Sequence, residues 1–437
     1  MSSGSLRLIL TGSLLVSSML VMAITQARLG SVLFFVLAGI VGFCQIVMLR
    51  SVWHAPVAPR RQLLLALGFA VACRLPLAAG PINYDSDMVR YIWDGRVQRF
   101  GYNPYAVVPS DPSLAHTHTA DTVRMPSRHD RTPYPPAAQL FFRLMVTLWE
   151  SPRFMRVALV ACDLLTIWFL WEWLRLTHRN EWLVLAYAWS PLVILEVAHS
   201  GHIDALGTMW IAASAWWLAR RRTALASVAF TLAVATKLLP IVLAPLYIGR
   251  VRVRDIALGG GLLAALYLPF MSGHTIPVGA VPNVVEHIRF NSPIFRPLAW
   301  IITPQGAAVF AVLAGLAAAV WARIRLDAND PAAWAWPMAL ALVSAPVIYP
   351  WYLLYFTPFL VVGATLPLFV WTYTIIPVYI VWERALSGGR WRVPNAMMMV
   401  EFGVVAVACL VVALARNARS AKSEEPALAT AEIAPDP

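Results

Sequence analysis

An all-α bundle of membrane-spanning helices is the fold this sequence predicts, and three observations predict it. Of 437 residues, 59% are hydrophobic and only 13% are charged, with a mean hydropathy of +0.66; soluble domains carry roughly 25% charged residues. Apolar runs recur near 7–25, 32–49, 62–79, 154–174, 182–198, 203–219, 256–272, 305–322, 332–348, 352–382 and 397–414. Most approach the ~20 residues a spanning helix needs, so a polytopic bundle of about 11–13 spans is expected. The formal net charge of +12 gathers in short clusters between those runs: Arg60-Arg61, Arg220-Arg221-Arg222, Arg250/Arg252/Arg254, Arg323/Arg325 and Arg416/Arg419/Lys422. That is the positive-inside pattern of cytoplasmic loops, and it argues against nucleic acid as a partner.

In chain order, the first run lacks a small-residue cleavage site and more spans follow it, so it reads as a retained helix and not a signal peptide. Three spans then place Arg60-Arg61 inside and residues 81–136 outside. That stretch is the one long polar loop, with six Asp, six Arg, three His and no Glu. Ala137–Trp149 follows; at 1.5 Å per residue it reaches only about 20 Å, which suits the outer interface or a re-entrant position. Residues 154–174 descend, the next span rises to His199-Ser200-Gly201-His202-Ile203-Asp204, and 203–219 descend to Arg220–Arg222. This parity puts both polar motifs on one side. Residues 223–248 are flanked by basic triplets yet are too short to cross twice, with Lys237 and Pro240 near the middle. They fit either a hairpin of two half-helices entering from the cytoplasm or a single span that violates the charge rule. Residues 352–382 divide near Gly363 and Pro367. Residues 1–417 form one transmembrane domain, and the Ala-, Glu- and Pro-rich segment 418–437 reads as a disordered cytoplasmic tail. Cys44, Cys73, Cys162 and Cys409 all fall in apolar runs, which implies no disulfide framework.

The polar loop opens with Asp85-Ser86-Asp87-Met88-Val89-Arg90-Tyr91-Ile92-Trp93-Asp94-Gly95. The spacing predicts a helix from Ser86, capped by Asp85 or Ser86 and stopped at Gly101. One face carries Asp87, Arg90, Tyr91 and Asp94; the other carries Val89, Trp93, Val97 and Phe100, as in a helix lying in the membrane interface. Asp85 and Asp87 stand where this helix meets the preceding span. A carboxylate there reaches both headgroups and water, as deprotonating an acceptor hydroxyl requires; the plainer alternative is helix capping with a salt bridge to Arg90. Asn103 and Pro104 suit a turn, and Tyr134-Pro135-Pro136 sets the approach of the short helix that follows. His199, His202 and Asp204 are spaced for phosphate or sugar contacts and give only a weak metal signal. A divalent ion is compatible with the Asp85/Asp87 carboxylates, and nothing in the sequence requires one. Arg74, Asp163, Glu196 and Lys237 are ionisable groups within apolar runs, where they face a bundle interior or cavity. Lys237 either points its ammonium at a phosphate from a hairpin tip or pairs with Asp163. Tyr349-Pro350-Trp351-Tyr352 reads as an aromatic belt or as a sugar or lipid platform.

Taken in order, Asp85–Arg96, Gly101-Tyr102-Asn103-Pro104-Tyr105, Tyr134-Pro135-Pro136, Gly201-His202-Ile203-Asp204 and Lys237-Leu238-Leu239-Pro240 resemble the bacterial GT-C glycosyltransferases. The likeness is to polyprenyl-phosphate-mannose-dependent mannosyltransferase-like proteins in particular. It covers residues 80–250 well and the rest by hydrophobic pattern. It implies a multi-pass protein of the bacterial cytoplasmic (inner) membrane with a catalytic first extracytoplasmic loop. The implied reaction moves a hexose, mannose favoured, from a polyprenyl-phosphate-sugar donor in the membrane lipid to a glycan or glycolipid acceptor. Asp85 or Asp87 is then the base. Arg90, Tyr91, Asp94, Arg96, Asn103, Tyr105, Tyr134, His199, His202, Asp204, Lys237 and Tyr352 are the candidate substrate contacts. No cytoplasmic loop is long enough for a nucleotide-sugar domain, which agrees with a lipid-linked donor. A transporter or flippase is the competing class, though such proteins show broken helices at matching places in two repeats, and no partner to the 223–248 break is visible. A polysaccharide polymerase or ligase would carry its main loop later in the chain.

Overall fold

A computed structural model describes residues 3–54, 59–81, 87–271 and 277–431; Asp85 and Ser86 lie outside the described residues. The described chain is helical, without a strand; one isolated backbone pairing joins Phe290 to Val347. Eight helices are long and apolar enough to cross a membrane, or nine if the bent pair Glu181–Ala188 and Pro191–His199 counts as one. This is the all-α polytopic bundle expected, with fewer full-length helices than apolar runs. Proline shapes two of the shorter pieces. Residues Leu239–Tyr247, with Pro240 and Pro245, and Pro350–Phe359, with Pro358 inside, wind as 3₁₀ helices, because each proline removes a donor and crowds the preceding turn. Pro136–Leu148, Thr223–Thr236 and Pro331–Val343 are short apolar helices. The last helix spans Asn395–Ala431.

The 223–248 segment is a hairpin. Ser214, toward the basic end of the Asp204–Ala219 helix, donates to Ala226 O at 2.6 Å and shares a hydrogen bond with Tyr247 Oη, also at 2.6 Å. The chain therefore returns at Tyr247 to the level at which it began. Lys237, extended between the two halves (φ −153°, ψ 144°), meets Asp204 at the other end of the same helix. The basic clusters gather at the hairpin's open end: Arg250 Nη2 donates to Leu326 O at 3.1 Å, Arg323 Nε to Ile248 O at 2.7 Å and Arg179 Nη2 to Asn329 O at 3.4 Å.

The Met88–Arg99 helix starts two to three residues later than its sequence suggests, with Asp87 at the N-cap position and no side-chain cap bond. Its apolar face is covered by the loop itself: Val89, Trp93 and Val97 join Leu114 and Met125 in a small separate core. The other side rests on Pro136–Leu148, approaching so closely at Gly95 that a Cβ would stand 2.5 Å from Phe142 O. Arg90 pairs with Asp94 at 2.7 Å, and it also donates to Ser127 O and Asp130 O at 3.2 and 3.1 Å. Thr132 and Gln139 donate to the other Asp94 oxygen at 2.6 and 2.9 Å. Asp94, with no exposed surface, is thus the knot that fastens the loop to the helix.

Inside the bundle, Arg74 and Asp163 form an ion pair with almost no exposed surface. Arg74 Nη1 also donates to Ala70 O at 2.7 Å and Ala188 O at 2.9 Å, filling carbonyls freed where helices break. Asp163 is therefore not the partner of Lys237. Replacing one member strands the other charge in a dry interior, so Asp163→Ala should cost about 3–5 kcal/mol and lower the melting temperature in detergent. An unchanged melting curve would remove the pair's role; Arg74→Leu/Asp163→Leu should recover much of the loss.

Candidate functional site

Four interruptions of helical backbone converge on one cavity of about 1270 Å³. The first is the end of the Arg74–Ala79 helix at Gly80, from which the chain leads to Asp87. The second is the π-helical turn Ile194–His199, followed by Gly201 at φ +74°, a left-handed conformation open to glycine at little cost; it delivers His202 and Asp204. The third is the break at Lys237. The fourth is the turn at Tyr349-Pro350 that presents Trp351 and Tyr352.

Lys237 Nζ lies 3.2 Å from Asp204 Oδ1 and 3.5 Å from Oδ2, with 20% of its side chain exposed against none of Asp204. The ammonium is therefore the member of the pair that looks into the cavity. It stands 4.1 Å from the centroid of the Tyr352 ring and 6.0 Å from that of Tyr134, both cation–π distances. Asp204 occupies the first turn of its helix, where the macrodipole favours a carboxylate.

His202 Nδ1 is 2.9 Å from Glu196 Oε2, while Tyr379 donates its hydroxyl hydrogen to the other Glu196 oxygen. The imidazole is stacked on Trp351, centroids 3.9 Å apart and planes 11° from parallel. Burial disfavours the imidazolium, but the contact with Glu196 and the negative charges of Glu196, Asp87 and Asp204 outweigh it and raise the His202 pKa above its ordinary value. Asp87 is half-buried on the same cavity wall.

Arg156, which no sequence motif singled out, completes the polar wall. It is buried, lines the cavity and has no carboxylate partner among the described residues. Its guanidinium donates to Ala78 O (3.0 Å), Pro81 O (3.1 Å), His199 O (3.2 Å) and Gly80 O. It thereby ties the C-terminus of one helix to the π turn and fixes where the acidic loop departs. The available signal was an arginine inside the apolar run 154–174, the same signal that marked Arg74.

The structure brings together Asp87, Tyr134, His199, His202, Asp204, Lys237 and Tyr352 of the residues singled out by sequence. Asp85 lies outside the described residues. His199, His202 and Asp204 do not converge as three ligands, and no such trio of His, Cys, Asp or Glu occurs among the described residues. Six further candidates are not among the residues lining this cavity, and each is engaged in contacts within the protein. Arg90 and Asp94 pair with each other. Tyr91 accepts from Ile203 N at 3.3 Å and stacks on Phe142. Arg96 pairs with Glu150 and donates to Thr117 O at 2.8 Å. Asn103 donates to Phe270 O at 2.7 Å, and Tyr105 to Tyr134 O at 2.7 Å. Tyr349 and Trp351, read from sequence as a membrane belt or a platform, also line the cavity.

A family model described as alpha-(1->6)-mannopyranosyltransferase, N-terminal domain, matches residues 4–253, more than half of the chain. The chain belongs to this family. It is therefore a multi-pass membrane mannosyltransferase, acting with a sugar donor and a glycan acceptor. No curated protein and no solved structure matches it. The matched segment contains Asp87, Arg156, Glu196, His202, Asp204 and Lys237; the aromatic wall at 349–352 lies beyond it.

The raised His202 pKa sets a pH dependence. Imidazolium–Glu196 attraction stabilises the fold fully below the unfolded-state value, near 6.5, and is lost as pH rises through the higher folded-state value. The melting temperature should fall across that window in the wild type and not in His202→Gln. Equal slopes in the two proteins would show that another group titrates.

Proposed function

We propose that this mannosyltransferase has the GT-C architecture and works at the outer face of the bacterial inner membrane. In this reading it takes mannose from a polyprenyl-phosphate donor and passes it to a glycan or glycolipid acceptor in one inverting displacement. The observation that carries the reading is a single cavity holding a carboxylate and cations beside a broad aliphatic lining. Asp87 is the carboxylate, Lys237 and Arg156 are the cations, His202 is a titratable donor beside them, and the site lies at the end of the bundle away from the basic clusters.

Asp87, or Asp85 two residues before it, accepts the proton of an acceptor hydroxyl. The oxygen's electron pair forms a bond to the anomeric carbon of mannose. The bond from that carbon to the phosphate oxygen breaks, and polyprenyl phosphate leaves with the bonding electrons. The charge that grows on the departing phosphate needs fixed donors close by. Lys237 stands ready, held by Asp204 and the Tyr352 ring face, and His202 offers Nε2 because Glu196 occupies Nδ1. Arg156 adds its positive charge from behind the loop. Leu238, Leu239, Leu342, Val284 and Ile288 give the lining an aliphatic flank suited to the lipid chain. Because the family forms an α linkage, an inverting step requires a donor whose mannose is β-linked to phosphate.

The test is transfer by purified protein from labelled polyprenyl-phosphate-mannose to a membrane glycolipid extract. Removal of a general base costs about 10²–10⁴ in rate, so Asp87→Asn or Asp85→Asn should lose activity on that scale while accumulating normally. Full activity in both single variants and in the double variant would discard the base. The α-anomer of the donor should be inert, and its use at a comparable rate would exclude the inverting step.

A further inference from the structure

Beyond the reacting groups, the cavity continues along a line of aromatic rings that the transfer step itself does not use. From His202 stacked on Trp351, the line runs to Trp382 (6.2 Å between centroids) and on to Trp391 (4.7 Å). All of these rings line the cavity, and Trp391 is 48% exposed at its rim. Arg28, from the turn between the first two spans, lines the same corner and is held by Glu383 at 3.0 Å. Trp382 and Trp391 come from the end of one span and the connection to the last, outside the matched family domain.

A lipid tail and a sugar ask for different walls. Aliphatic side chains suit the first. A hexose presents one face of C–H groups and a rim of hydroxyls, which flat aromatic rings with a few oriented polar donors accommodate. We infer that Trp382, Trp391 and Arg28 form a subsite for a mannose residue of the acceptor glycan, on a track that leads its terminal hydroxyl to the carboxylate loop. A membrane-anchoring tryptophan would face lipid; these two rings face the cavity. The inference rests on the proposed function for its direction, since the subsite serves the acceptor while the aliphatic flank serves the donor.

Its test needs no donor: titration of α(1→6)-linked mannotriose into the purified full chain in nanodiscs, read by calorimetry. The wild type should bind, Trp391→Ala should bind at least about tenfold more weakly, equivalent to about 1.4 kcal/mol, and Trp391→Phe should keep most of the affinity. In transfer assays Trp391→Ala should raise the acceptor KM and leave the donor KM unchanged. Absent binding by the wild type, or equal affinity in Trp391→Ala, overturns the subsite. So does a Trp391→Ala protein that loses thermal stability with mannotriose affinity intact, which would make the residue a lipid anchor. If the wild type binds mannotriose yet transfers nothing from polyprenyl-phosphate-mannose, the donor reading falls and the subsite stands.

Discussion

Wherever a helix breaks inside a membrane, the backbone groups it frees must find partners within the protein, because hydrocarbon offers none. The site of this protein is assembled from such breaks, and its buried charges are the partners. Arg74, neutralised by Asp163, covers carbonyls at the end of one helix and at the bend near Ala188. Arg156 covers four more, at the exit to the acidic loop and at the π turn. Each arginine answers a structural need at an interruption, and the second also lends the cavity wall a positive charge.

The same economy governs the electrostatics. Asp204 and Glu196 are wholly buried, and each has a cationic or titratable companion: Lys237 for the first, His202 for the second. A buried carboxylate is tolerated when paired and hydrogen-bonded, and here each pair leaves its donor member nearest the cavity. Asp87 stands apart, half-buried and close enough to His202 for its charge to be felt there. Paired groups and a further carboxylate thus line one cavity, so both signs of charge meet there.

The loop helix illustrates how rigidity reaches Asp87. Its charged residues are taken up by one another, by Glu150 and by loop carbonyls, its apolar residues by a small core under the loop, and Gly95 lets it press against the next helix. Asp87 therefore projects from a helix held by packing and by hydrogen bonds to the loop.

Much of this was legible in the sequence. Apolar run length, basic clusters and one acidic loop determined an all-α membrane bundle and the order of its motifs, because hydrocarbon imposes strict demands on composition. At the cavity, Lys237 stood out because charge in an apolar run is costly and rare, Asp87 because it opens the long polar loop, and His202 and Asp204 because they form a polar motif between two runs. What sequence left open was pairing. Whether Lys237 met Asp163 or Asp204, whether 223–248 turned back, and whether Arg90 and Asp94 faced substrate or each other all depended on which helix ends share a level. Likewise Trp382 and Trp391, remote in the chain from the acidic loop, join its cavity only through packing. Local spacing places a side chain on a helix face; only tertiary contact between distant helices decides what that face meets.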